Sequence, residues 1–275
     1  MLTDAHCHPF DLVRVFPQAE QERRRVGVLA AASACDLEEF TYNEDLARKA
    51  AAENAAPLIT CFAVHPQFPA GIKASGKKPG DELERGFETL QNLSSAGRIA
   101  AVGECGFDLY NSAFRETEPL QEKIFSFHLE TALKYNLPLV LHVRRAMHKI
   151  FAAAKALSKY RAVIFHSWPG TFEEGQSLLR RGVNAYFSFG SAVINGHKQA
   201  QRSFALLPAE RLLIETDAPF QPVRGKNFSH LEDLPLIINA TAALRNDAAG
   251  VKASAVTDAK EMETQIEANF RAAFF

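Results

Sequence analysis

The chain has 275 residues, 47% hydrophobic and 23% charged, with a formal net charge of −1. That composition excludes a disordered chain and supplies enough apolar surface for a large core. Near-zero charge argues against non-specific tracking along nucleic acid, which needs many phosphate contacts, but leaves room for a local basic rim.

Short apolar runs alternate with longer polar-periodic segments from end to end. Strands are predicted at Leu2–His6, Val26–Ser33, Pro57–Val64, Ile99–Cys105, Leu137–Val143, Ala162–His166, Asn184–Phe189 and Arg211–Asp217. Helices are predicted between them, as at Asp36–Asn54, Arg115–Tyr135, Ala146–Lys159 and Thr171–Arg181. Near-continuous apolar strands separated by helices imply a parallel sheet covered on its outside. Eight such units fit a single-domain (β/α)8 TIM barrel over residues 1–275, and no glycine-rich dinucleotide fingerprint follows the first strand. Phe68–Asp81, rich in Pro, Gly and Lys, reads as a long loop after the third strand, and Asn246–Asp258 as a polar linker between the last helices. No apolar run approaches the roughly 20 residues of a membrane span. With no leader evident and with Cys7, Cys35, Cys61 and Cys105 outside any CxxC pair, the expected location is cytoplasmic.

In such a barrel the chemistry sits at the C-terminal ends of the strands. The first strand ends in Asp4-Ala5-His6-Cys7-His8, where alternation puts Asp4, His6 and His8 on one face and Cys7 on the other. His65 follows the third strand, Glu104 ends the fourth, His142 the fifth, His166 the sixth and Asp217 the eighth. Several imidazoles and carboxylates on one rim need cations to compensate them, and they suit Zn, Mn, Fe or Co, with Mg where carboxylates dominate. The donors suffice for two divalent metal ions. Glu104 stands on the middle strand and no lysine ends any strand, so a glutamate bridge is expected. Asp4 is read as an acceptor orienting an imidazole and Asp108 as a turn or cap residue. His128, His148, His197 and His230 are read as ordinary surface or satisfied polar groups.

In chain order Asp-Ala-His-Cys-His, Val-His-Pro, Gly-Glu-Cys-Gly-Phe-Asp, Leu-His-Val-Arg, Phe-His-Ser-Trp-Pro-Gly, Glu-Thr-Asp-Ala-Pro and Arg224-Gly-Lys-Asn resemble the TatD family of metal-dependent deoxyribonucleases, within the amidohydrolase-like barrels. The resemblance implies one metal on His6, His8, Glu104 and Asp217 and a second on Glu104, His142 and His166. It implies Asp217 as general base or water-positioner, with His65 and Arg144 on the scissile phosphate. The implied substrate is DNA, single-stranded or at an end; an amide, lactone or ester hydrolase using the same metals is the alternative. Two departures stand out. His166-Ser167-Trp168-Pro169-Gly170 replaces the family's usual His-Cys-Phe-Ser-Gly, and Gln67 replaces a common second histidine. Trp168 is expected either to stack a nucleobase or to pack as loop core. Arg224 is expected either to touch phosphate at the rim or to serve as a surface or capping residue.

Overall fold

The computed structural model describes residues 1–76, 79–248 and 258–275. The eight predicted strands form as β1 (Leu2–Cys7), β2 (Val28–Ala34), β3 (Leu58–Phe62), β4 (Ala101–Asp108), β5 (Leu139–Arg144), β6 (Val163–Phe165), β7 (Ala185–Phe189) and β8 (Leu212–Ile214). Each pairs in parallel with the next in sequence order. The sheet curls into a nearly closed barrel, with helices on its outer face.

Side chains alternate between two cores, as a pleated strand requires. Leu29, Ala31, Cys61, Val140, Ile164 and Leu213 fill the barrel interior. Val28, Ala30, Phe62, Val102, Leu141 and Phe187 point outward to the helices. The predicted helices appear as Leu37–Ala52, Glu118–Lys134, Met147–Leu157 and Phe172–Arg180. The last helix, Ala259–Phe274, places Phe270 and Phe274 against the interior cluster. From that helix Asn269 donates to the carbonyls of Ala209 and Leu212, at the start of β8 and opposite the strand ends that carry the rim.

The seam between β8 and β1 joins residues more than two hundred positions apart. Beyond β8, Asp217 N donates to His6 O at 2.9 Å, and His8 N donates to Ala218 O at 2.8 Å. Between them stands Asp4, fully buried. Its carboxylate accepts from Thr216 N (3.0 Å), Thr216 Oγ1 (2.6 Å) and His6 N (3.2 Å). Asp4 therefore orients no imidazole, contrary to the sequence expectation; it fastens the first strand to the last. Burial pushes its carboxyl up to about 7, partly offset by the Thr216 hydrogen bonds.

Two further expectations change. The stretch read as a loop contains a helix, Phe68–Ala74, with Pro69 in its first turn, and a second helix covers Pro79–Ser95. Proline is compatible with a first helical turn, where its missing N–H would have no intrahelical partner. Of the expected linker, positions 249–257 lie outside the described residues. Asn246 lies in the last turn of the helix Leu234–Ala248, and Asp258 caps the last helix by accepting from Lys260 N and Glu261 N. No helix among the described residues is long and apolar enough to cross a membrane.

Candidate metal centre

The C-terminal ends of the strands converge on a cavity of about 580 Å³ whose lining includes His8, His65, Glu104, His142, His166 and Asp217. Glu104 sits at its centre. One carboxylate oxygen, Oε2, lies 3.3 Å from His6 Nε2 and 3.7 Å from His8 Nε2. The other, Oε1, lies 2.5 Å from His142 Nδ1 and 3.4 Å from both His65 Nε2 and His166 Nε2. Asp217 Oδ1 faces the first group, 3.5 Å from each of His6 and His8. Ligand atoms of His6, Glu104 and His166, of His6, His8 and Asp217, and of His65, Glu104 and His142 form three groups, each with its atoms within 4.8 Å of one another.

Local backbone geometry aims these groups. Between Gly103 and Cys105 the β4–β5 register slips. Gly106, at φ +128°, passes so close to β5 that a Cβ there would lie 2.3 Å from His142 O; only glycine fits that approach. Asp217 is itself left-handed, at φ +55°. Gln221 holds its Oδ2 by a 2.7 Å hydrogen bond and also donates to Ser167 Oγ.

The far side of three rim imidazoles is held too. His6 Nδ1 lies 3.1 Å from Ser33 Oγ, and His142 Nε2 lies 3.1 Å from Asp108 Oδ2. His166 Nδ1 lies 3.0 Å from Glu215 Oε1, an oxygen that also accepts from Ser167 N and Oγ. A carboxylate on the outer nitrogen, as at His142 and His166, favours a proton there and an inner lone pair towards the cavity, the arrangement a metal ligand requires. His65 differs. Its Nδ1 accepts the Gln67 backbone N–H at 3.2 Å, so the neutral ring carries its proton on Nε2, towards Glu104. His65 is thus built to donate rather than to ligate.

The charges agree with that division. Burial disfavours ionised Glu104, yet the histidines around it, His65 and His166 foremost, hold it well below the carboxylate range. Burial also opposes charging His142 and His166. Glu104 and Asp108 nevertheless raise the first to about 9, and Glu215, Glu104 and Asp217 raise the second to about 10. Burial keeps His65 low. Protons on two imidazoles thus balance the buried carboxylates wherever a cation does not, and the donor set fits divalent metal ions.

Asp108, Glu215, Ser33 and Gln67 were not singled out as site residues from sequence. Asp108 is no mere turn residue. It is fully buried, orients His142, and accepts from Gln67 Nε2 at 2.7 Å. Gln67, read as an altered substrate contact, supports that carboxylate. Replacing Asp108 by Asn exchanges the acceptor facing His142 for a weaker one, so metal affinity should fall about 10- to 100-fold. Titration of the metal-free variant against a chelator of known affinity would check this; unchanged affinity would remove Asp108 from the supporting shell.

The structure also places the two residues left open. Trp168 is buried, with its ring edge-on to Phe165 and Phe187 at centroid distances of 5.2 and 4.6 Å. Its six-membered ring lies where a Cβ on Gly170 would be. It packs as loop core and offers no face to a nucleobase, because the β6–β7 wall takes both its rings. Arg224 lies outside the cavity lining, exposed, with its guanidinium on Asn195 O at 3.2 Å. Arg144 does line the cavity, whereas His128 is buried and accepts from Val64 N.

A parallel eight-stranded barrel carrying this rim defines a metal-dependent hydrolase. Residues 3–275 match the family described as TatD related DNase. The chain belongs to that family. Over 169 residues it is 32% identical to a 3'-5' ssDNA/RNA exonuclease TatD of Erwinia tasmaniensis, covering 59% of this chain and 64% of that protein. It is 30% identical over 237 residues to a protein of Mycoplasma pneumoniae named an uncharacterized metal-dependent hydrolase, covering 81% and 84% respectively. Among solved structures, a TatD homologue from Escherichia coli K12 superposes with a TM-score of 0.79 at 24% identity, covering 99% of this chain and 97% of that one.

Proposed function

We propose that residues 1–275 act as one hydrolase unit, a phosphodiesterase that cleaves single-stranded nucleic acid, DNA foremost, from an end. The carrying observation is the division of Glu104, whose two oxygens face two separate imidazole groups. On this reading His6, His8, Glu104 and Asp217 hold one divalent cation of the Zn, Mn or Mg kind, and Glu104, His142 and His166 hold a second. Such a pair supplies an activated water at neutral pH and Lewis-acid polarisation of a phosphoryl oxygen. The relatives named as exonucleases on ssDNA and RNA support the substrate class. Four free cysteines support a reducing, cytoplasmic setting.

The protein's own groups then have distinct tasks. Asp217, with Oδ2 tied to Gln221, presents Oδ1 to the cavity, where it would ligate and also position the attacking water and take its proton. His65 donates Nε2–H to a non-bridging phosphoryl oxygen. Arg144 offers a planar fork to the same phosphate.

The test is cleavage of an end-labelled single-stranded DNA oligomer by metal-reconstituted protein, beside EDTA-treated protein and Asp217→Asn. A ladder present only in the first sample supports the proposal and gives the polarity. Absence of cleavage by protein shown to hold two metals would overturn it.

A further inference from the structure

Several surface arginines of this protein are neutralised by a carboxylate. Arg24, Arg48, Arg98, Arg202 and Arg271 each hold one. Three arginines at one edge of the cavity lack such a partner. Among the described residues no carboxylate pairs with Arg115, Arg144 or Arg145, and all three gather around one tyrosine. Tyr110, just past β4, is 42% exposed. The Arg144 guanidinium lies 3.8 Å from its ring centroid and that of Arg145 lies 4.5 Å away. Arg145 also donates to Tyr110 O at 3.0 Å, and Arg115 donates to Leu109 O and Tyr110 O.

That convergence needs a specific backbone. Consecutive residues of an extended strand point to opposite faces, yet Arg144 and Arg145 reach the same ring. Arg145 achieves this in the left-handed region, at φ +55°, a conformation costly for a residue with a Cβ. β4 and β5 are tied alongside by Leu109 N donating to Arg144 O at 2.8 Å. An aromatic ring with two guanidinium groups over it, without a carboxylate partner and continuous with the cavity through Arg144, has the chemistry of a single-strand nucleic-acid platform.

We infer that Tyr110, Arg115 and Arg145 form a subsite next to the metal centre for the nucleotide adjoining the scissile phosphate. The base stacks on the Tyr110–guanidinium layer, and Arg115 and Arg145 take the neighbouring backbone phosphate. The subsite rests on the nuclease reading above. It takes over the stacking role that buried Trp168 does not fill, and it reads no sequence, because every base offers a π-face.

The experiment compares kcat/KM for a short single-stranded DNA oligomer with that for bis(p-nitrophenyl) phosphate, a phosphodiester without nucleobases. Tyr110→Ala should lower the ratio about tenfold, mostly through KM for the oligomer. Tyr110→Phe, which keeps the ring, should retain it. Arg145→Gly suits the left-handed backbone and so removes the guanidinium without straining the fold. It should lower the ratio as well and flatten the salt dependence of oligomer binding. A ratio unchanged in both Tyr110→Ala and Arg145→Gly, with wild-type protein cleaving the oligomer, would overturn the subsite alone. Wild-type protein inactive on the oligomer would overturn the nuclease reading and the subsite with it.

Discussion

Glu104→Ala should abolish turnover while leaving the barrel folded. Among the described residues Glu104 is the one carboxylate that reaches both imidazole groups, at 3.3 Å to His6 and 2.5 Å to His142. Without it the rim imidazoles lose the carboxylate that stands between them, leaving Asp217, Asp108 and Glu215 to balance them from the sides, and neither group keeps a full set of donors. Stabilisation of transition-state charge by bound metal is worth several kcal/mol. Losing about 4 kcal/mol of it would cost roughly 10³-fold in rate. Metal analysis after gel filtration, paired with far-UV circular dichroism, separates the two halves of the expectation. The variant should emerge with native-like ellipticity and substoichiometric metal. A variant that retained two metals and near-wild-type turnover would end the assignment of Glu104 as a bridge.

Metal affinity should rise steeply with pH across the neutral range. His142 and His166, raised to about 9 and about 10 by the carboxylates around them, are protonated at pH 7 in the metal-free protein and must be neutral to ligate. The cation held by His142 and His166 therefore displaces about two protons, and the logarithm of its affinity should climb by about two per pH unit below pH 9. The sign for the metal-free fold is opposite. A raised imidazole pKa contributes stability that is fully present below the unfolded value of about 6.5 and is lost as pH rises through 9 to 10. Metal-free protein should thus lose stability on the alkaline side where the loaded protein gains it. Calorimetric titration with metal in two buffers of different ionisation enthalpy counts the released protons directly. A count near zero at pH 7 would contradict the charge balance described for the rim.

How much of this was legible beforehand follows from which forces act locally. Buried parallel strands are apolar almost throughout, so all eight could be read from runs such as Val28–Ala34 and Leu139–Arg144. Ligand-type residues at their ends identified the rim because barrel topology alone brings those ends together. The supporting carboxylates escaped notice for a geometric reason. Asp108 lies beyond the register slip at Gly103 and Cys105, where a simple two-residue alternation no longer predicts direction. Glu215 finds His166 and Ser167 across β6–β8 contacts that no local spacing encodes. Asp4 was placed on the correct face of its strand, but its partner is Thr216, 212 residues away. Phe68–Ala74 was read as a loop because its Pro and Gly content outweighed the tolerance of a first helical turn for Pro69. Trp168 could not be decided from sequence, since Phe187 and Phe165 meet it only in the closed barrel.

The seam that Asp4 fastens also sets the order in which the centre comes into being. The first strand supplies His6 and His8, but Asp217 and the hydrogen bonds that lock it to His6 O come from the far end of the barrel. Synthesis delivers the N-terminal part of a chain first. A nascent chain therefore carries an incomplete donor set until residue 217 has left the ribosome and docked against β1. Contacts that close so long a loop are also entropically among the last to form. A partly made copy that has not yet exposed residue 217 therefore lacks the donor set on which the proposed activity depends.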